Sequence, residues 1–216
     1  HEASKGAAKG KGKPKSKGKA KSDAKGAAPG NLANSVTFPI TDAIDPANKA
    51  LTVELWALPD GKSGVLLQQG GPQNGFSLEL EGGKPQFHVR SNTTLSSISA
   101  KEALPEGWHH LAATLEESAT MRLFVDGLEV AKGKAAGLIT STPKRSLILG
   151  NGSGVSEGKG AAYTGLLDQF ALHHRALSPE EIDRPFPQDD VRPAGAVLVP
   201  SFDNGHSRDA SRNNLH

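Results

Sequence analysis

The stretch MRLFVDGLEV, residues 121–130, carries the clearest fold signal in the sequence. Apolar and polar residues alternate on both sides of Asp126-Gly127, as they do in strands with one buried face. Two-residue hairpin turns of the primed types need positive φ at their central residues, and Asp-Gly is one of the pairs that supply it. The stretch therefore predicts two antiparallel strands joined by a tight turn.

Short runs of the same kind extend from this hairpin in both directions, separated by clusters of Gly, Pro, Asn and Asp. One short helix is predicted at Ser178-Pro-Glu-Glu181, because a capping Ser, a Pro at the first helical position and a Glu three residues after the cap form a capping box. The other predicted strands are residues 51–58, 65–68, 76–80, 86–90, 108–115, 146–149, 165–172 and 196–199. This spacing indicates an all-β sandwich of two antiparallel sheets.

Four motifs occur in a fixed order along these strands: LTVELWALP (51–59), GWHHLA (107–112), RLFVDG (122–127), and GLLDQF with RALSPEEI (165–170 and 175–182). Together they resemble the laminin G-like, concanavalin A-like jelly-roll modules of secreted bacterial proteins, over about residues 32–183. The resemblance implies two stacked jelly-roll sheets and a secreted, periplasmic or cell-surface location. Such modules often accompany sulfatase, glycosidase or cytochrome-like domains.

Residues 1–30 differ sharply from the rest, since they are mainly Lys, Gly, Ala, Ser and Pro and include no Val, Ile, Leu or aromatic residue. With no apolar surface to bury, this segment is predicted to be a disordered tail or linker. Its nine lysines and two acidic residues give this segment a net charge of +7. Because the whole chain has a net charge of +2, the remaining residues have a net charge of −5. The lysines also allow non-specific contacts with nucleic acid or anionic polysaccharide by counterion release. Residues 31–187 are assigned to the sandwich.

Residues 188–216 are predicted to be a connector and a strand, for which two roles are open. The strand at 196–202 either completes the sandwich or begins a truncated second module, because a segment like SFDNG (201–205) usually opens a domain of the family that the chain resembles. An unfilled sheet edge exposes backbone groups and core side chains, which favours the first role. Since the chain lacks an initial Met, we expect a piece of a longer protein.

Oxygen donors concentrate in the same segment at Asp203, Asp209 and Asn213. Calcium prefers ligands of this type, and the resemblance implies calcium near such a loop, with Asp168 as a further ligand if the strand order brings it close. The same residue types are also typical of Asx turns that hold no ion. Calcium is therefore a possible cofactor of this segment.

Catalytic chemistry is not predicted. The absence of Cys excludes disulfides and thiolate chemistry. Glucanases of this fold use three acids spaced E-x-D-x-x-E, whereas Glu79 and Glu81 are followed by no third acid. Adjacent residues on a strand point to opposite faces. The two members of each histidine pair, 109–110 and 173–174, therefore face apart, so neither pair can bind one ion through both rings. His1 is separated from the fold by the tail, which argues against a preorganised copper site. No stretch is long and apolar enough to span a membrane.

Strand alternation supplies a candidate ligand face. When the apolar positions of each strand are assigned to the core, Thr52 and Glu54 face outward with Trp56, and the outward aromatic and basic residues are Trp56, Trp108, His110, His88 and Arg90. An aromatic platform with polar neighbours is typical of sugar-binding surfaces, so these five are the predicted ligand-binding residues. The alternative is that loops or a second layer bury both tryptophans.

The favoured function is a non-catalytic extracellular binding or adhesion module for carbohydrate or for a protein partner. The alternative is a structural accessory domain that packs against an upstream catalytic domain, such as a sulfatase or glycosidase, and has no ligand of its own. Exposure of Trp56 and Trp108 would favour the binding module, and burial of both would favour the accessory domain.

Overall fold

The computed structural model describes residues 35–152, 155–156, 161–184, 195–198, 200–201 and 208–209. The chain divides into two units, His1–Gly30 and Asn31–His216. The described residues all belong to the second unit, so the predicted disorder of residues 1–30 concerns residues outside them.

The strands of the second unit form two six-stranded sheets and one small two-stranded sheet. Their bounds are β1 Val36–Phe38, β2 Leu51–Pro59, β3 Gly64–Gly70, β4 Gly75–Glu81, β5 Lys84–Ser91, β6 Thr94–Ser99, β7 His109–Leu115, β8 Thr120–Val125, β9 Leu128–Lys134, β10 Leu147–Leu149, β11 Gly165–His173, β12 Ala196–Leu198, β13 Pro200–Ser201 and β14 Arg208–Asp209. Sheet A has the order β1-β10-β3-β4-β5-β6, and sheet B has the order β12-β11-β2-β7-β8-β9. All pairings within both sheets are antiparallel. The predicted all-β sandwich is confirmed.

Two local predictions are also confirmed. Asp126 and Gly127 have φ of 50° and 79°, and they join β8 to β9 as the two-residue turn requires. The helix α1, Pro179–Ile182, begins with the full capping box of Ser178 and Glu181. A 3-10 turn at Asp42–Ile44 is the other short helical element described. No described helix is long and apolar enough to cross a membrane.

The core lies between the two sheets and is built from the alternate apolar residues of each strand. Sheet A contributes Phe76 and Phe87, and sheet B contributes Leu55 and Leu111, all of them fully buried. Burial of this kind stabilises by about 25 cal/mol per Å² of apolar surface, so aromatic and leucine side chains dominate the total. The alternation that places these residues inside sends their neighbours to the two outer faces.

A second layer covers part of the outer face of sheet B. Leu177, which precedes α1, and Ile182, the last residue of α1, pack on Phe124 and Ala112 of the sheet in a separate small apolar cluster. The Thr52 side chain anchors this layer, because its hydroxyl donates to the Arg175 carbonyl at 2.8 Å and accepts from the Leu177 N–H at 2.9 Å.

The strand β12 lies at the edge of sheet B. It pairs with β11 through Leu172 opposite Leu198, and Leu198 is fully buried in the core. The first described strand, β1, lies at the edge of sheet A instead. The first strand and β12 therefore belong to different sheets rather than lying side by side.

Candidate functional site

Four apolar side chains lie together at one end of the outer face of sheet B. Trp56 and Leu58 are two residues apart on β2 and share this face, and Leu166 on β11 pairs directly with Leu58. The pairing of β2 with β7 ends at Ala57 and His109. Trp108, the residue before His109, therefore lies beside Leu58, the residue after Ala57. Trp56, Leu58, Trp108 and Leu166 are called the apolar patch below.

The apolar patch is accessible. Trp108 is 42% exposed and Leu166 is 59% exposed, while Trp56 and Leu58 are half-buried. Only one other large apolar side chain among the described residues is exposed, Leu128 at 71%. The predicted alternative that a second layer buries both tryptophans is wrong for Trp108, because the layer around α1 covers Phe124 and Ala112 instead. Trp56 contacts the His110 ring at a centroid distance of 5.6 Å.

A cleft of about 1010 Å³ adjoins the apolar patch. Leu58 and Leu166 belong to both features. Four segments line the cleft: residues 58–62 at the turn after β2, Leu80 with the turn Gly82-Gly83, residues 103–107 before β7, and residues 165–166. Its charged lining residues are Asp60, Lys62 and Glu106. This end of the sandwich thus combines exposed apolar side chains with hydrogen-bonding groups.

The five predicted ligand-binding residues do not form one surface. Trp56, Trp108 and His110 belong to sheet B, whereas His88 and Arg90 are on β5 in sheet A and face away from the shared core. His88 and Arg90 are 6% and 5% exposed, which also removes them from a surface platform. The expectation of a single five-residue face is therefore corrected to a sheet B group, in which His110 is itself buried at 6% exposure.

The polar residues on the outer face of sheet A have hydrogen-bond partners within the protein, two of them through Val155 and Ser156. Arg90 donates from Nε to the Val155 carbonyl at 2.6 Å, and the Ser156 hydroxyl donates to Glu79 at 3.0 Å. His88 bonds through Nδ1 to the Ser97 hydroxyl at 2.7 Å. Burial lowers the pKa of His88 below its usual value, and the charge of Arg90 acts in the same direction.

The two candidate acids of β4 have different surroundings. Glu79 accepts from Ser77 at 2.6 Å as well as from Ser156, whereas Glu81 is exposed and contacts Gln86 at 3.4 Å. Hydrogen bonds from Ser77 and Ser156 thus occupy the Glu79 carboxylate.

One buried polar group was missed by reasoning from the sequence. Glu54, 4% exposed on β2, lies between one member of each histidine pair: His173 Nε2 is 3.0 Å from Oε1, and His110 Nε2 is 3.3 Å from Oε2. Burial raises the pKa of Glu54, but its interactions with His110 and His173 outweigh this and leave the pKa below its usual value. The available signal was the alternation of β2, which already placed Glu54 outward beside Trp56.

The predicted calcium ligands are only partly described. Asp168 is exposed on β11 opposite Trp56, and its carboxylate accepts from the Gln169 N–H at 2.8 Å. Asp209 lies in β14 and pairs with Pro200, while Asp203 and Asn213 lie outside the described residues. Among the residues that are described, no group of three or more His, Asp or Glu side chains is close enough to hold a metal.

Solved structures of similar fold are mostly binding domains. The sialidase carbohydrate-binding module CBM40 of Ruminococcus gnavus, bound to α2,3-sialyllactose, is 15% identical with a TM-score of 0.56, covering 69% of this chain and 91% of that one. Domains LG4-5 of the mouse laminin α1 chain are 18% identical with a TM-score of 0.55, covering 71% of this chain and 42% of that one. The SAP-like pentraxin of Limulus polyphemus is 16% identical with a TM-score of 0.50, covering 69% and 79%.

At these identities the likeness concerns the fold alone. A comparison with curated proteins finds no match. The profile of the laminin G-type family in the concanavalin A-like lectin/glucanases superfamily matches residues 29–183, which is most of the chain. The match spans both sheets up to α1 and includes all four motifs that first suggested it. This chain therefore belongs to the laminin G-like family of the concanavalin A-like lectin/glucanases superfamily.

Proposed function

We propose that this domain is a non-catalytic extracellular module that binds a glycan at the apolar patch and the adjoining cleft. The observation that carries the proposal is the exposure of Trp108, 42%, beside the exposed Leu166 on the outer face of sheet B. A tryptophan face can stack on the apolar face of a sugar ring, which water otherwise covers at a cost in free energy.

The residues around the apolar patch supply the polar part of such a site. Asp168 is exposed opposite Trp56, and Asp60, Lys62 and Glu106 line the cleft. Carboxylates accept hydrogen bonds from sugar hydroxyls, and an ammonium group donates hydrogen bonds to sugar hydroxyls. The similar module described with sialyllactose supports a saccharide as the class of ligand.

Glycan-array binding of the purified domain tests the proposal. Trp108→Ala should weaken the strongest signal at least tenfold, the size expected when an aromatic anchor is truncated. Leu128→Ala is the matched control, because Leu128 is also exposed but does not line the cleft, and it should bind as the unmodified domain does. Binding that survives Trp108→Ala in a folded domain would contradict the proposed site.

A second candidate function is a structural accessory domain that packs against a catalytic domain of the same protein. The observation that favours it is the aliphatic character of Leu58 and Leu166, since buried protein contacts use aliphatic side chains more readily than sugar sites do. This alternative predicts no Trp108-dependent signal on the array. It also predicts that the isolated domain, with this patch uncovered, self-associates, and that Leu166→Lys reduces this association, which light scattering measures.

A further inference from the structure

A second and smaller cavity lies at the other end of the sheets from the cleft. It has a volume of about 260 Å³ and is formed by the turn between β3 and β4 and by the loop that leads into β10. β3 begins at Gly64, two residues after Lys62 of the cleft, and ends at Gly70 beside this cavity, so about 20 Å separate the two features. The lining residues are 71–74, Ser141, Thr142, Lys144 and Arg145, and the cavity that they form is called the end pocket below.

The end pocket has positive charge along one wall. Lys144 and Arg145 are both exposed there, and none of the described residues that line the pocket is acidic. Residues 31–216 have a net charge of −5, so this pair of cations stands against the overall charge of the domain. Among the described residues, none forms a hydrogen bond or ion pair with the Lys144 ammonium. The Arg145 guanidinium lies along the Gly71 backbone, since a Cβ on Gly71 would be 3.4 Å from Nε.

Asn74 joins the two walls of the end pocket. Its Oδ1 accepts from the Thr140 N–H at 3.3 Å and from the Thr140 hydroxyl at 3.0 Å, and its Nδ2 donates to the Ser141 hydroxyl at 2.9 Å. A backbone bond of 3.2 Å from the Gly70 N–H to the Arg145 carbonyl connects the same two walls. Because the walls are fixed without a ligand, binding loses less free energy to the ordering of loops.

The orientation of the Asn74 amide leaves the Ser141 hydroxyl as a donor. The backbone N–H of Asn92 can only donate, so the side-chain atom of Asn74 that it contacts at 3.1 Å is the oxygen Oδ1. The Ser141 oxygen then accepts from Nδ2 and keeps its own proton for a ligand. The Thr142 hydroxyl is committed instead, because it donates to Asp45 at 2.6 Å. The charged and hydroxyl donors of the end pocket are thus two cations and one serine.

We propose that the end pocket is a second binding site, which takes an oxyanion: a sulfate or carboxylate group, either free or carried by an acidic sugar. Lys144 and Arg145 form charge-assisted hydrogen bonds with it, and Ser141 adds a neutral one. A volume of about 260 Å³ lies just below the usual range of small-molecule pockets, which suits one charged group with the single ring that carries it. Since the end pocket lies away from the apolar patch, the inference does not depend on the proposed function.

NMR titration of the isotope-labelled full chain tests the site. The probes are sodium sulfate, sodium glucuronate, sodium acetate and glucose, with sodium chloride added to keep the ionic strength constant. We expect sulfate and glucuronate to shift the backbone N–H signals of Gly71, Asn74 and Ser141 along saturating curves, and glucose to leave these signals unchanged. Tighter binding of glucuronate than of acetate would identify an acidic sugar as the ligand, whereas equal binding would identify the free oxyanion. Shifts without saturation, or shifts confined to the lysines of residues 1–30, would overturn the proposal.

Two double variants locate the binding energy. Lys144→Gln with Arg145→Gln should weaken sulfate binding at least tenfold, because both charge-assisted hydrogen bonds are lost, and it should keep the fold because both side chains are exposed. Lys101→Gln with Lys132→Gln is the matched control, since it removes the same charge at exposed positions outside the end pocket and should bind sulfate as the unmodified chain does. Equal weakening in both would overturn the proposal, because general charge attraction would then explain the binding.

Trp108→Ala separates this inference from the proposed function. The variant should lose the strongest glycan-array signal but bind sulfate in the end pocket as the unmodified chain does, because Trp108 does not line that pocket. Sulfate binding that disappears in Trp108→Ala would overturn the inference, since the anion would then occupy the apolar patch. An array without any Trp108-dependent signal overturns the proposed function alone, and the NMR titration still decides whether the end pocket binds an oxyanion.

Discussion

His173 Nε2 lies 3.0 Å from the Glu54 carboxylate, with both side chains at most 5% exposed. The two residues belong to adjacent strands, β11 and β2, and His110 approaches the same carboxylate from β7 at 3.3 Å. A buried charge flanked by two imidazoles joins three neighbouring strands of sheet B on the face that carries the apolar patch. Its role is structural, since a hydrogen bond with His173 on one side and the ion-pair contact with His110 on the other occupy the carboxylate.

Glu54→Ala should therefore destabilise the domain strongly. Removal of the carboxylate leaves two buried imidazoles without their acceptor, which costs about 3 kcal/mol in the free energy of unfolding. Urea denaturation measures the change. Glu116→Ala is the control, because Glu116 forms a more exposed ion pair with Arg122 and should cost less than about 1 kcal/mol. Equal losses in the two variants would show that Glu54 has no special role.

The pair of Arg175 and Glu181 should make stability depend on acidic pH. Two hydrogen bonds of 2.8 Å from Arg175 lower the pKa of Glu181 to about 2, with a further contribution from the Ser178 backbone. Because the folded pKa is below the usual one, this stabilisation is present above about pH 4.5 and is lost as the pH falls toward 2.

Glu181→Gln is thus expected to lower the melting temperature by about 2 °C at pH 7, a modest value because the pair is exposed to solvent. The difference from the unmodified domain should disappear near pH 2. Glu117→Gln, at an exposed position in the β7–β8 turn, should show no such trend. A difference that persists at pH 2 would contradict the assignment.

His174 should also make stability fall as the pH drops, over a higher pH range than Glu181. Burial and the charge of Lys49, whose Nζ is 3.3 Å from Nδ1, lower the pKa of His174 to about 4. The folded domain therefore keeps the ring neutral, while the unfolded chain takes up a proton below about pH 6.5, so stability falls as the pH drops from 6.5 to 4. His174→Gln should reduce that fall by about 1 kcal/mol after allowance for the ring's partial exposure, as measured by urea denaturation at pH 7 and pH 4.5. An unchanged pH dependence would contradict the expectation.

Alternation along the strands predicted much of the fold. Residues 51–58 show the inward and outward positions that the structure has, and Asp126-Gly127 located the turn between β8 and β9. The strands β1 and β6 were not predicted. The first has three residues, and the second, TLSSIS, has only two large apolar residues, so neither has a strong period-two pattern.

The candidate site was only partly predictable for a related reason. Alternation assigns a residue to one face of its own strand, but it does not say which sheet the strand joins. His88 and Arg90 were therefore grouped with Trp56 and Trp108, although β5 belongs to sheet A. Glu54 was passed over because its partners, His110 and His173, are distant in sequence and meet it only through the pairing of three strands.

Removal of β12 should destabilise the sandwich. A chain that ends at residue 193 loses the pairing of β12 with β11 and the buried side chain of Leu198. The loss of one buried leucine alone costs about 2–5 kcal/mol, which thermal unfolding detects easily. A chain that ends at residue 198 keeps both contacts and is the matched control. Equal melting temperatures for the two chains would show that residues 194–198 do not belong to this domain.

The chain that ends at residue 198 also tests the calcium prediction, when it is compared with the full chain. Asp203, Asp209 and Asn213 all follow residue 198, so the chain that ends there retains only Asp168 of the four predicted ligands. An ion that binds the folded state raises the melting temperature, by an amount that grows with its concentration above Kd. We expect millimolar calcium to raise the melting temperature of the full chain and to leave the chain ending at residue 198 unchanged, with magnesium as the control ion for site geometry. A rise of equal size in both chains would place the ion elsewhere, and no rise in either would favour an Asx-turn segment that holds no ion.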